Sequence, residues 1–308
     1  MTKIATREAY GRALAELGRE NSQVVVLDAD LSKSTMTRYF AEEFPERFFN
    51  MGIAEQSLMG TAAGLALSGK IPFASTFAVF ATGRAYDQVR NGIAYPKVNV
   101  KIAATHAGLT VGEDGASHQA VEDVALMRAV PNMTVIVPAD GEETRQAVRA
   151  AAAHQGPVYI RLGRPAVPVI YGEDYQFQIG RAHTLRQGKD AAIIACGIMV
   201  AKALEAAAEL AAAGLEVMVI DMSTIKPLDR EAVLAAAATG VVVTAEEHTI
   251  IGGVGSAVAE VLATAKPVPL AMVGIRDTFG ESGKPDELLE KYGLTTRDIV
   301  AAVKRLTK

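Results

Sequence analysis

Tryptophan is absent from the 308 residues, and cysteine occurs once, at Cys196. A single thiol excludes an internal disulfide and a cysteine-rich zinc site, and a reducing compartment is its natural setting. There is no basic surplus: 31 Lys and Arg face 35 Asp and Glu, for a net charge of −4. That balance argues against a general nucleic-acid binder. With 50% hydrophobic and 21% charged residues, the composition is that of a chain with a sizeable core rather than a disordered one. No apolar run approaches the roughly 18 residues needed to cross a bilayer, and the first residues carry no apolar signal core. The chain is therefore expected to be soluble and cytoplasmic, with neither a nucleic-acid nor a membrane partner.

What is present is an alternation of short β-branched runs and longer helical stretches, long enough for about two domains. Strands are expected at 24–28, 48–51, 71–75, 98–104, 134–137 and 158–162, and helices at 6–19, 54–68, 78–94, 120–130 and 141–154. Such alternation predicts an α/β protein with a mainly parallel sheet and helices on both faces. Residues 163–189 break the rhythm with Pro165, Pro168, Gly172, Gly180 and Gly188, and read as a linker. A second alternation follows, with strands at 191–195, 216–220, 241–245 and 269–273 and helices at 199–213, 230–239 and 254–264. Gly214 sits where a helix C-terminal cap is expected, and 285–308 reads as two short helices. The divisions are 1–165, a linker 166–187, and 188–308.

Open α/β sheets deliver functional residues at the carboxyl ends of their strands. Glu55 follows one such end and enters a helix of small and apolar residues, where desolvation would raise its pKa and let it share a proton with a nitrogen heterocycle. The same position also suits a structural carboxylate favoured by the helix dipole. The glycine-punctuated loop from His106 to Gln119 holds His106, Asp114 and His118, groups that orient hydroxyls and move protons near neutral pH, or that form an ordinary polar loop. Arg7, Arg161 and Arg164 are candidates to grip phosphate. Phe77 and Phe80 offer a platform for a planar ring or belong to the core. Gly252–Gly253–Val254–Gly255–Ser256 opens a helix that could receive an anion, but it lacks the dinucleotide fingerprint. Glu246–Glu247–His248 reads as a hydrogen-bonded loop rather than a catalytic triad.

Four segments carry a resemblance. Gly112–Glu113–Asp114–Gly115–Ala116–Ser117–His118–Gln119 resembles the transketolase loop G-E-D-G-x-[ST]-H-Q, and Met51–Gly52–Ile53–Ala54–Glu55–Gln56 resembles that family's G-I-x-E-[HQ] segment. Asp28–Ala29–Asp30–Leu31–Ser32–Lys33–Ser34 is similar to its A-D-L-x-x-S turn, and Ala5–Thr6–Arg7 to its A-T-R opening. Order and spacing agree across nearly the whole chain, which resembles the pyrimidine-binding and C-terminal domains of a transketolase. The family's diphosphate motif, G-D-G…N with Mg²⁺, is not matched, so the resemblance implies the C-terminal subunit of a split transketolase. Its expected partner is an N-terminal subunit supplying the diphosphate and Mg²⁺ site, with α2β2 as the expected assembly.

The resemblance implies thiamine diphosphate as cofactor and sugar phosphates as substrates, with transfer of a two-carbon ketol unit between them. It matches Glu55 to the glutamate that hydrogen-bonds the cofactor's aminopyrimidine, and Phe77 and Phe80 to aromatics packed on that ring. Asp30, Leu31 and Ile53 match its pocket lining. His106 and Asp114 match readers of sugar hydroxyls, and His118 a group near the reacting carbonyl. Arg7, Ser34 and Arg164 match the holders of the sugar phosphate, while Arg161 has no counterpart. Ala107 and Gly83 depart from the family pattern, and Arg84–Ala85–Tyr86–Asp87–Gln88–Val89 is similar to 1-deoxy-D-xylulose-5-phosphate synthase. The rivals are that synthase, the beta subunit of a 2-oxo acid dehydrogenase, and a non-catalytic binding subunit.

Overall fold

The computed structural model describes residues 2–172 and 174–308. In chain order the N-terminal half comprises β1 (Lys3–Ala5), α1 (Thr6–Glu20), β2 (Val24–Asp28), α2 (Ser32–Thr35), α3 (Arg38–Glu43), β3 (Phe48–Asn50), α4 (Glu55–Leu67) and β4 (Ile71–Phe77). Two π-helical stretches, Phe80–Arg84 and Gln88–Ala94, precede β5 (Lys101–Thr105), α5 (Asp123–Ala129), β6 (Thr134–Ile136), α6 (Gly141–Ala153), β7 (Val158–Arg161) and β8 (Ala166–Pro168). The C-terminal half comprises β9 (His183–Arg186), β10 (Ala191–Ala195), α7 (Met199–Ala212), β11 (Val217–Asp221), β12 (Thr224–Lys226), α8 (Arg230–Ala237), β13 (Val242–Thr249), α9 (Val254–Ala265), β14 (Leu270–Ile275), α10 (Pro285–Lys291) and α11 (Thr296–Leu306).

The expected α/β architecture is present as two large sheets. A seven-stranded sheet runs β12-β6-β7-β5-β4-β2-β3, parallel throughout except for the antiparallel edge strand β12. A five-stranded sheet runs β14-β13-β10-β11-β9, with only β9 antiparallel. Every residue of β2, β5 and β10 is buried, as befits strands covered on both faces. One apolar cluster runs from Leu27, Leu58 and Ile102 through to Ile194, Ile220 and Val258, so the two halves share a core.

Local chemistry fixes the element ends. Asp140 caps α6 by accepting from Glu143 N at 2.8 Å, and Thr295 with Asp298 forms a capping box at α11. Gly214 closes α7 at φ +84°, a conformation that L side chains resist.

Three expectations are corrected. The segment 78–94 is not a regular α-helix: its π turns widen the coil, and its apolar spacing alone does not distinguish the two periods. The segment 163–189 contains β8, paired to β1 with Ile4 opposite Val167, and β9, the edge of the second sheet. Glu246–Glu247–His248 lies within strand β13 rather than a loop.

Candidate active site

The cleft is built at the carboxyl ends of the strands of the seven-stranded sheet. β2 ends at Asp28, whose buried carboxylate accepts from Leu31 N (2.6 Å), Thr35 Oγ1 (2.6 Å) and Thr37 Oγ1 (3.0 Å). Burial pushes this carboxyl above its ordinary range, and the three donors oppose the shift. The bonds fold the chain back through Asp30, which takes φ +63°. Asn50, at the end of β3, clamps Asp30 in both directions: its Oδ1 accepts from Asp30 N (3.1 Å) and its Nδ2 donates to Asp30 Oδ1 (3.0 Å). Leu31 and Ile53 are thereby set on the same rim, with Ile53 strongly exposed.

Glu55 is the first residue of α4 and only 3% exposed. It is not the bare carboxylate that its sequence neighbours imply. Arg84, at the end of the first π-helical stretch, donates from Nη1 to Glu55 Oε1 at 2.9 Å, and its guanidinium lies 4.4 Å from the centre of the Phe80 ring. Phe80 in turn lies nearly parallel to Phe77, with centroids 5.9 Å apart and planes 11° apart.

β5 ends at Thr105, and His106 follows with φ +56°, its ring stacked on Phe77 at 3.8 Å. Arg7 is an obligate donor, so its 3.4 Å contact makes His106 Nε2 the acceptor. The ring proton then sits on Nδ1 and is donated to Thr105 Oγ1 at 2.8 Å. Burial, reinforced by the charges of Arg7 and Arg164, pushes His106 down to about 3, so the ring is neutral at physiological pH. His118 meets Phe80 edge-on at 5.4 Å and is held by a 3.0 Å contact with Ser117 Oγ.

Arg7 also donates to the carbonyl of Ser34 at 2.9 Å, so it is the backbone of Ser34 that is engaged. Burial, then repulsion from Arg164, lowers the Arg7 pKa. Its buried Nε has no partner among the described residues. Arg164 bonds the carbonyl of Val111 and lies 3.4 Å from Glu113 and 4.0 Å from Asp114.

The structure thus gathers the candidates into one rim. Asp30, Leu31, Ile53, Glu55, Phe80 and His118 line a cavity of about 400 Å³, joined by Arg84. Phe77 and His106 connect it to Arg7, while Asp114 comes no nearer than 4.0 Å to Arg164. A larger hollow of about 640 Å³ lies between α1 and α6; Arg7 borders it, but none of the other candidates does. Arg161 belongs to neither: it is buried and pairs with Asp123 at 2.9 Å, donating also to Glu247 O at 2.9 Å. The anion received by the α9 N-terminus is the protein's own Glu246, which accepts from Val254 N and Gly255 N at 2.8 Å each. Among the described residues, no group of three or more His, Cys, Asp or Glu is arranged to hold a metal ion. Nothing in the sequence points to Arg84 at this rim, because a lone arginine on a helical stretch reads as a solvated surface group.

The model of the transketolase pyrimidine-binding domain matches residues 2–169, and that of the transketolase C-terminal domain matches residues 180–299. The chain belongs to the transketolase family. It is similar over nearly its whole length to two relatives and a solved structure. A protein of Methanocaldococcus jannaschii named "Putative transketolase C-terminal section" is 52% identical, over 96% of this chain and 94% of that protein. The "6-deoxy-6-sulfo-D-fructose transketolase subunit SqwH" of Clostridium sp. is 46% identical, over 98% and 94%. A solved structure described as "Split gene transketolase, inactive beta4 tetramer" superposes with a TM-score of 0.93 at 63% identity, covering 99% of this chain and 98% of that one. No helix of the described residues is long and apolar enough to cross a membrane.

Proposed function

We propose that this chain is the catalytic C-terminal subunit of a thiamine-diphosphate-dependent transketolase, moving a two-carbon ketol unit from a ketose phosphate to an aldose phosphate. The observation that carries this reading is the buried Glu55 carboxylate beside the parallel rings of Phe77 and Phe80, in a chain matched by the pyrimidine-binding model. A flat aminopyrimidine fits that arrangement: aromatic faces to stack on, an acceptor carboxylate, and Leu31 and Ile53 as apolar walls. When bound, the cofactor supplies the electron sink for carbon–carbon bond cleavage.

In this reading Glu55 holds a proton at the pyrimidine ring, and Asp30, Leu31, Ile53, Phe77 and Phe80 seat that ring. His106, neutral and fixed in one tautomer, and Asp114 orient sugar hydroxyls. His118 serves the reacting carbonyl as acid and base. Arg7, Arg164 and Ser34 hold the acidic end of the sugar, with the Ser34 carbonyl orienting the Arg7 guanidinium. The relative named for a 6-deoxy-6-sulfo-D-fructose makes a sulfonate a second candidate for that anion, since both groups offer three oxygens to a guanidinium. The diphosphate and Mg²⁺ ligands are assigned to an N-terminal partner subunit, with α2β2 as the assembly. The pyrimidine-binding domain is assigned to 1–165 with β8 paired back onto β1, and a domain for assembly to 188–308 with β9 as its edge strand. The description of a β-only relative as inactive is in keeping with a chain that needs that partner.

The test is reconstitution with the partner, thiamine diphosphate and Mg²⁺. Ketol transfer from xylulose 5-phosphate to ribose 5-phosphate is measured beside a sulfo-sugar donor and pyruvate. Turnover of either sugar supports the reading; turnover of pyruvate alone replaces it with the oxo-acid dehydrogenase one.

A further inference from the structure

Glu55 is almost wholly buried, and Arg84 is the one hydrogen-bonding partner of its side chain among the described residues. A buried carboxylate without a counter-charge is strongly unfavourable, so the free chain has to neutralise it by some means. Arg84 does so with a flat, cationic, N–H-bearing group. The guanidinium lies over the face of Phe80 and points one N–H at Oε1. These are the same two contacts, a stack on Phe80 and a hydrogen bond to Glu55, that the proposed function requires of the aminopyrimidine.

We propose that Arg84 is a placeholder in the pyrimidine seat, which the cofactor ring displaces from both Phe80 and Glu55 as it binds. This rests on the proposed function. Three features favour displacement over a permanent bond. The Arg84 side chain is 49% exposed, so it has room to swing outward. Glu55 is its only recorded ion-pair partner among the described residues. The residue is instead anchored through its main chain, where its carbonyl accepts from Gln56 Nε2 at 3.3 Å, leaving the guanidinium as the movable part. The π turn from Phe80 to Arg84 sets the cation over that ring. A half-exposed ion pair and one cation–π contact are each modest, so the placeholder holds the seat without locking it. Cofactor affinity is then reduced by the fraction of chains in which Arg84 is home.

The test measures binding of the uncharged hydroxymethyl-aminopyrimidine half of thiamine to the full chain by calorimetry. This probe carries no thiazolium charge, so simple repulsion by Arg84 does not enter. Arg84→Ala is expected to tighten binding about tenfold, and Arg84→Lys, which keeps the charge but loses the flat stack, by less. In a Glu55→Gln background the gain from Arg84→Ala should vanish, because the pair it relieves is already gone. An unchanged or weaker affinity in Arg84→Ala, an undiminished gain in the Glu55→Gln background, or no binding by Arg84→Ala at millimolar probe would each overturn the proposal. Equilibrium dialysis of thiamine diphosphate against the complex with partner and Mg²⁺ separates the two ideas. A complex that binds cofactor while Arg84→Ala gains nothing sinks the placeholder alone, and a complex that binds none sinks the proposed function.

Discussion

In the N-terminal half, the carboxyl ends of β2, β4 and β5 open onto a cleft where Asp30, Glu55, His106 and His118 meet. In the C-terminal half, the ends of β11 and β13 carry an equally rich set, Asp221, Glu246, Glu247 and His248, all four buried. There they act as cross-links. Glu247 Oε1 accepts from Thr110 N at 2.7 Å, across the boundary between the halves. Asp221 Oδ2 accepts from Tyr171 at 2.8 Å, and Glu143 Oε1 from the neighbouring Tyr175 at 2.6 Å. Burial pushes both Glu246 and Glu247 up to about 7 and His248 down to about 4, shifts that would flag a catalytic group if the residues were in a cleft. Titratable side chains at strand ends are thus common to both sheets, and since Glu55 and His106 are as buried as these four, what separates the site from the seam is the cavity that Asp30, Glu55 and His118 border.

The contrast is most sharply broken by Glu55→Gln in the reconstituted complex. Ketol transfer is expected to fall by about 10²–10⁴-fold with assembly intact, as chromatography and initial rates would show, because only the proton-handling group is removed. On the seam side, Arg161→Met leaves Asp123 buried without its counter-ion. Burial, the largest influence, pushes Asp123 up, but the Arg161 charge, the charge of His248 and the hydrogen bonds from Arg161 and Tyr159 together outweigh it and hold the carboxyl low. Removing that charge is expected to destabilise the chain by about 3–5 kcal/mol in urea unfolding. Preserved stability would mean that the seam does not hold the halves together.

Arg7→Ala should raise KM for phosphorylated acceptors by the loss of about 1.5–3 kcal/mol of charged hydrogen bonding. A non-phosphorylated aldose should be nearly unaffected, and equal losses on both would remove Arg7 from the anion site. The smallest effect is a pH dependence. The folded-state pKa of Glu247, about 7, lies above the ordinary glutamate value, so the folded chain binds more protons than the unfolded one between them. Its contribution is fully present below about pH 4.5 and is lost as pH rises through 7. Glu247→Gln should therefore gain stability over the parent by about 2 kcal/mol between pH 5 and 8, read from paired unfolding curves. A difference that stays flat with pH would contradict the burial argument.

Much of this plan is legible in the sequence where burial imposes a clear pattern. β2 and β10 fall on the expected residues, since continuous apolar runs bounded by turns admit few other readings. The loop ending at Gln119 and the strand-end position of Glu55 are equally readable, because glycines and lone carboxylates stand out. The elements that escape are those defined by their partners. β12 is three residues long, and its strand character comes from pairing with β6. Arg84 carries no local sign that it will turn inward to meet Glu55. The role of Glu246 becomes visible only when α9 places two backbone N–H groups over it.

β12 also sets an order of events. It comes from the C-terminal half but completes the N-terminal sheet, lying antiparallel on β6. On the ribosome, the edge of β6 stays unpaired until Thr224–Lys226 has emerged, long after the strands that surround the cleft. A nascent N-terminal half is therefore a sheet with an open flank, exposed to pairing with neighbouring nascent chains until its own downstream segment arrives.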